Sequence, residues 1–209
     1  MSVLSHKLWM SPDRMILASG SAARAQMLES AGLPFEIIRP DVDERSLEAP
    51  LRAAGAGGSA IATALAKAKA SQVSAHYPGR YVLGGDQTLE IDGVLLAKPE
   101  GRDGARAHLR LLSGRVHQLH SAAILARDGE IVLEVADHAS LTMRPLSADF
   151  IEAYLDAAGE AVLGSVGAYQ IEGLGVHLFD KIEGQHSVIM GMPLHPLLVG
   201  LRSLSLLRG

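Results

Sequence analysis

The chain has 209 residues, 48% of them hydrophobic, no cysteine and a formal net charge of −4. This is enough apolar material for one compact core with room for two lobes, and it excludes disulfide staples, thiolate metal sites and thiol catalysis. The negative balance argues against a broad polyanion-binding surface, so nucleic acid is not an expected partner and any phosphate must be held by locally placed cations. No apolar run reaches the roughly 18–20 residues of a membrane span, so no membrane partner is expected. The opening MSVLSHKLWMSPDR has too little apolar core for a signal peptide. Together with the absence of cysteine, this fits a cytoplasmic protein. Residues 1–13 read as a loosely held N-terminal extension to a single domain over 14–209.

In chain order, Ile16-Leu17-Ala18 is a short β-type run that passes through Ser19-Gly20-Ser21 into a helix at about 22–31, stopped by Gly32. Phe35–Ile38 reads as a second strand running into an acidic loop, Pro40-Asp41-Val42-Asp43-Glu44, and a Gly/Ala-rich loop at 53–58 follows. Ser59 is a candidate cap for a helix over about 60–75, whose apolar positions Ile61, Leu65 and Val73 are expected to leave Lys67 and Lys69 on other faces. Tyr81-Val82-Leu83 reads as a buried strand ending at Gly84-Gly85-Asp86. Thr88–Ile91 and Val94–Leu96 flank Asp92-Gly93, a two-residue hairpin signal, and Lys98-Pro99 comes next. A helix over 103–112 leads to two longer strands, 117–126 and 130–143, joined at Asp128-Gly129. A helix over 148–158 follows Ser147. The Gly-rich stretch Gly164–Gly175 precedes a strand at Val176–Phe179, and an amphipathic helix follows Pro193. Alternating strands and helices with hairpins mixed in predict an α/β fold: a mixed central sheet flanked by helices.

The candidate chemistry gathers at a few of these joints. Ser19, Ser21 and Arg24 lie where a strand turns into a helix, so free backbone N–H groups, two hydroxyls, a guanidinium and the positive end of a helix dipole meet in an anion cradle. The same residues also fit an ordinary strand-turn-helix joint with Ser21 as N-cap. Asp86 is expected at the carboxyl end of a strand, where ligand crevices of open α/β sheets form. Paired carboxylates from two strand ends, Asp43-Glu44 and Asp86, suit Mg²⁺ or Mn²⁺, and Lys69 and Lys98 supply compact positive charge for phosphate oxygens. Together these residues meet the needs of phosphoryl chemistry: cations, a metal and a carboxylate base for water. Singly, Asp43-Glu44 reads equally as a solvated loop, Lys98-Pro99 as a turn and Asp86 as a hairpin cap. The nine histidines include no helical His-x-x-x-His pair. His117 and His120, three apart on a strand, point to opposite faces and read as surface or packing residues.

These residues carry a resemblance. Ala18-Ser19-x-Ser21-x-x-Arg24, Asp41-Val42-Asp43-Glu44, Leu65-Ala66-x-x-Lys69-Ala70, Gly85-Asp86, Asp92-Gly93 with Lys98-Pro99, Leu112-Ser113-Gly114, Gly167-Ala168-Tyr169 and Gly191-Met192-Pro193-Leu194 are similar to the motifs of the Maf (septum formation inhibitor) family of nucleoside triphosphate pyrophosphatases. They stand in that family's order and cover nearly the whole chain. The resemblance implies an inosine-triphosphatase-like fold with a cleft between two lobes, a homodimer, and metal-dependent hydrolysis of a nucleoside triphosphate to the monophosphate and pyrophosphate. On that mapping Asp86 matches the catalytic base. Ser19, Arg24, Lys69 and Lys98 match phosphate-binding positions, with Ser21 in the same cradle, and Glu44 matches the acidic metal-site position beside Asp86.

Base choice rests on three positions that separate the family's pyrimidine type, acting on dTTP and UTP, from its 7-methyl-GTP type. They read Ala23, Gln87 and Glu172 here. Gln87 and Glu172 resemble the 7-methyl-GTP type. A carboxylate accepts from the guanine N1–H and exocyclic amine, whereas uracil and thymine would present two carbonyls to it. Ala23 matches neither the tryptophan of that type nor the arginine of the pyrimidine type, so stacking on a cationic base is lost there. A guanine-type base or 7-methyl-GTP is therefore expected, and the resemblance implies the clearance of non-canonical nucleotides. A pyrimidine pyrophosphatase, a nucleotide-sensing division inhibitor without significant turnover and a nucleotidyltransferase stand as alternatives.

Overall fold

Strand β1 (Met15–Ala18) is buried at every position, as a four-residue apolar run in the parallel part of a sheet must be. It pairs in parallel with β2 (Phe35–Ile37) on one side and with β3 (Tyr81–Ile91) on the other. From β3 outward the sheet is antiparallel, through β5 (Val116–Arg127) and β6 (Glu130–Met143) to β7 (Phe179–Glu183). The order is β2-β1-β3-β5-β6-β7, with β4 (Val94–Leu96) attached to β3. The result is the expected mixed α/β architecture. A computed structural model describes residues 7–209, and among them no helix is long and apolar enough to cross a membrane.

The centre of the fold is β3. It pairs with β5 over Tyr81–Glu90 without interruption, but on its other edge β1 covers only Val82–Gly84 and β4 only Leu89–Ile91. Over Gly85–Thr88 that edge has no partner strand among the described residues. The sheet thus carries a notch in its middle. One hydrophobic core, with Leu17, Leu28, Leu83 and Leu197, lies toward the β1 end; another, with Leu89, Leu109, Leu141 and Tyr169, lies toward the β4 end. Helices α1 (Ala22–Ser30) and α7 (Leu194–Ser203) contribute to the first core, and α4 (Gly101–Leu112) and α5 (Ala148–Ala158) to the second.

Helix α3 (Gly58–Ser74) lies against β3 and β5 through small residues: Ala62, Ala66 and Ala70 meet Ala122, Ile124 and Ala126. The approach is so close that a Cβ on Gly84 would stand 2.4 Å from the Ala66 carbonyl oxygen. Glycine at 84 is therefore what lets this helix reach the sheet.

Several expectations are corrected. β3 does not end at Gly84; the two glycines lie inside an 11-residue strand, because extended backbone needs no side chain to keep its ladder with β5. Asp86 is therefore in mid-strand at the notch, not at a strand terminus. The acidic loop gives way at once to a helix, α2 (Glu44–Ala53), with Asp43 as its cap. α3 starts at Gly58 with Gly57 as N-cap, so Ser59 caps nothing, and Lys69 lies on the buried face rather than another. α4 begins at Gly101 rather than 103. The strand expected at Val176–Phe179 is a 3₁₀ turn over Leu174–Leu178 that leads into β7, and a four-residue helix, α6 (His186–Ile189), follows.

The reading of residues 1–13 as loosely held is also revised where the chain is described. Trp9 is buried in the first core, donates from Nε1 to the Asp13 carbonyl at 2.8 Å and bridges to Leu207. Residues 1–6 lie outside the described residues.

Candidate active site

A cleft of about 850 Å³ opens over the notch, between the two cores. Side chains alternate along β3, so Asp86 shares a face with Gly84, toward α3. There the Lys69 ammonium stands 2.5 Å from Asp86 Oδ1 and 2.8 Å from Glu44 Oε1. Asp86 and Lys69 are buried, while the Glu44 side chain is 52% exposed at the start of α2. Burial pushes the Asp86 carboxyl above its ordinary value; Lys69 and Arg24 oppose that shift, and Glu44 adds a little to it. A carboxylate raised in this way is better matched to accepting a proton near neutral pH.

Arg24 approaches from the opposite face of the sheet. It can do so because Gly85 has no side chain: a Cβ there would sit 3.2 Å from Arg24 Cδ and Nε. The guanidinium is fixed by donating from Nε to the Gly191 carbonyl at 2.8 Å and from Nη1 to Ser19 Oγ at 3.2 Å. Burial lowers its pKa against the pull of Asp86 and Glu44, yet arginine stays charged. The hydroxyls of the cradle hold their own turn: Ser21 Oγ accepts from the Arg24 N–H that opens α1, and Ser19 Oγ accepts from the Ser21 N–H. The two sequence readings of this segment are thus compatible. Ser21 is the N-cap, and the turn it closes presents Ser21 and Arg24 to the cleft.

The remaining candidates fall into place around this floor. Lys98, exposed on the loop after β4, lines the cleft and has no ion-pair partner among the described residues. Ala23 on α1, Gln87 on β3 and Glu172 also line it. Gln87 is the most constrained of the three. Its Nε2 lies 2.9 Å from both the Val188 and Ile189 carbonyls and 3.1 Å from Ser121 Oγ, so its two hydrogens are shared among acceptors on α6 and β5. Asp43 separates from the proposed acid pair, because its carboxylate accepts from the Ser46 N–H and hydroxyl and so caps α2.

Among the described residues no group of three His, Asp or Glu side chains converges as a metal cage. The pair Glu44 and Asp86 does converge, on a single cation, the Lys69 ammonium. Two carboxylates facing a cleft fit Mg²⁺ or Mn²⁺, which bind through one or two protein carboxylates with phosphate oxygens and water completing the shell.

Sequence reasoning missed the α2 wall, where Arg45, Glu48 and Arg52 also line the cleft, and it missed Tyr169 as a lining residue. The Glu48–Arg52 pair, four apart and 2.5 Å in the structure, was the signal for α2.

The Maf-like protein family model matches residues 14–204. The chain is 54% identical over 196 residues to a nucleoside triphosphate pyrophosphatase of Nitrobacter winogradskyi, covering 94% of this chain and 96% of that one. It is 50% identical to proteins named 7-methyl-GTP pyrophosphatase from Rhizobium etli and Mesorhizobium japonicum, each covering 94% of this chain and 98% and 99% of the relatives. With the family model matched over residues 14–204 and relatives 50–54% identical over nearly the whole chain, the chain belongs to the Maf-like protein family.

Proposed function

We propose that the chain is a metal-dependent nucleoside triphosphate pyrophosphatase that hydrolyses its substrate at the α-phosphorus, giving the nucleoside monophosphate and pyrophosphate. The observation that carries this reading is the buried Asp86 carboxylate at the notch, bracketed by Lys69 and Arg24 from opposite faces of the sheet. Asp86 takes the proton of the attacking water. Pyrophosphate gathers negative charge as it leaves, and Arg24, Lys69, Lys98 and the N-terminus of α1 neutralise it. Glu44 and Asp86 would hold Mg²⁺ or Mn²⁺, which supplies further neutralisation of phosphate charge. Names among the relatives include both the general activity and 7-methyl-GTP pyrophosphatase, and Glu172 favours a guanine-type base by accepting from its N1–H and amine. Ala23 offers no ring for stacking. A homodimer acting in the cytoplasm to clear non-canonical nucleotides completes the proposal.

The test is a side-by-side assay of GTP, 7-methyl-GTP, UTP and dTTP with separate detection of pyrophosphate and orthophosphate. Pyrophosphate release that stops in excess chelator is expected; orthophosphate alone, or full rate in chelator, overturns the reaction. Glu172→Gln is expected to shift the kcat/KM ratio of guanine-type to pyrimidine substrates by roughly 5- to 150-fold. An unchanged ratio removes Glu172 from base recognition.

A further inference from the structure

Glu172 is exposed, and its side chain makes no hydrogen bond or ion pair among the described residues, so its place is set by the backbone turn that carries it. It sits at the tip of a tight turn whose hub is the Gln170 carbonyl, which accepts from the N–H groups of Gly173 at 3.2 Å and Gly175 at 3.1 Å. The residue before that hub is Tyr169, 4% exposed and lining the cleft. Its hydroxyl is 2.7 Å from Nε2 of His117, a buried histidine of β5. The two rings and Phe179 form one aromatic cluster, with Tyr169 and Phe179 edge to face at 4.9 Å between centroids. Backbone on the other side of Tyr169 is equally constrained. Gly167 has φ +85°, and a Cβ there would stand 2.6 Å from Leu89 and 2.9 Å from the Tyr169 ring. Ala168 has φ +61°, and its carbonyl accepts from the Tyr154 hydroxyl at 3.3 Å.

The protonation of His117 follows from its surroundings. Burial pushes the ring down to about 4, so it is neutral at physiological pH, and Nδ1 is buried with no partner. In either neutral tautomer one hydrogen bond joins the pair: Nε2–H donates to the Tyr169 oxygen, or the Tyr169 hydroxyl donates to a bare Nε2. None of the phosphate chemistry at Asp86 uses this hydrogen bond.

We infer that His117 is a positioning residue for base recognition: through its hydrogen bond to Tyr169 it fixes the 170–175 turn and so sets where the Glu172 carboxylate meets the nucleobase. This rests on the reading of Glu172 as a base contact. The test compares GMP, UMP and inorganic pyrophosphate binding by titration calorimetry to the wild-type chain and to Tyr169→Phe, His117→Leu, His117→Gln and Glu172→Gln, each checked for its melting temperature. Tyr169→Phe removes one hydroxyl and keeps the ring, so it addresses the bond without emptying the core. Tyr169→Phe and His117→Leu are expected to weaken GMP binding by roughly 3- to 10-fold, the range of one net hydrogen bond, and to leave pyrophosphate within about twofold. The Gln amide reaches the place of Nε2 and can either donate to the Tyr169 hydroxyl or accept from it, so His117→Gln is expected to recover GMP affinity. Equal losses for GMP and pyrophosphate, or no loss for either, overturn the inference. If Glu172→Gln leaves the GMP-to-UMP ratio unchanged, the Glu172 contact fails. A selective GMP loss in His117→Leu would then still support positioning of the turn, and its absence would overturn it.

Discussion

On the β3 side of the cleft, Asp86, Lys69 and Arg24 are each less than a tenth exposed and each is tied to a named partner. On the opposite side, α2 buries no residue at all and contains Pro50, which deletes one helical hydrogen bond. That wall is held by Leu51, partly buried against Ile61, Leu65 and Leu95, and by polar contacts: Arg52 pairs with Glu48 and donates to the Leu95 carbonyl at 3.2 Å, and Glu44 reaches Lys69. Buried, mutually satisfied groups move little, whereas an exposed helix with few apolar contacts opens at low cost. From this difference the Asp86–Lys69–Arg24 side is expected to be fixed in the free protein and the α2 wall to be the part that opens first.

Three substitutions sharpen or break that contrast. The largest effect is expected for Asp86→Asn, which keeps the shape and removes the proposed base: kcat should fall by about 10²-fold or more. Steady-state kinetics with a melting curve will show whether the loss is chemical, and near-normal turnover would move the base elsewhere. Next is Gly84→Ala. Its Cβ would lie 2.4 Å from the Ala66 carbonyl and 2.7 Å from the Ala70 nitrogen, backbone atoms that yield only if α3 shifts as a whole. A cost of about 1–3 kcal/mol in denaturant unfolding is expected, with reduced activity because Lys69 travels with α3. The smallest effect is expected for Arg52→Ala, under about 1 kcal/mol in global stability. Amide exchange should nevertheless quicken across α2 and stay unchanged in β3; equal protection in both elements would end the distinction.

What could be read from the sequence divides along the same line. Ser19, Ser21 and Arg24 lie within six residues, so the strand-turn-helix cradle was legible from local spacing alone. Asp86 was legible as a cleft-facing carboxylate, although the two glycines before it read as a strand end and are instead the thinned part of a continuous strand. Lys69 was misplaced because α3 is rich in alanine, which marks no face as apolar, so periodicity could not show which side meets the sheet. α2 was hidden by Pro50 and by an acidic start that reads as loop. The His117–Tyr169 bond joins residues 52 apart, and no local pattern announces a contact made only when β5 and the 170–175 turn pack together.

The missing strand partner along Gly85–Thr88 bears on how such a site tolerates change over generations. Peptide N–H and C=O groups on that edge belong to no side chain, and point substitution cannot delete them unless it introduces proline. A ligand that completes the ladder there is read by groups outside the reach of most mutation. If Ala23 and Glu172 select the base as proposed, they could drift and change that selection without altering the backbone groups of this edge.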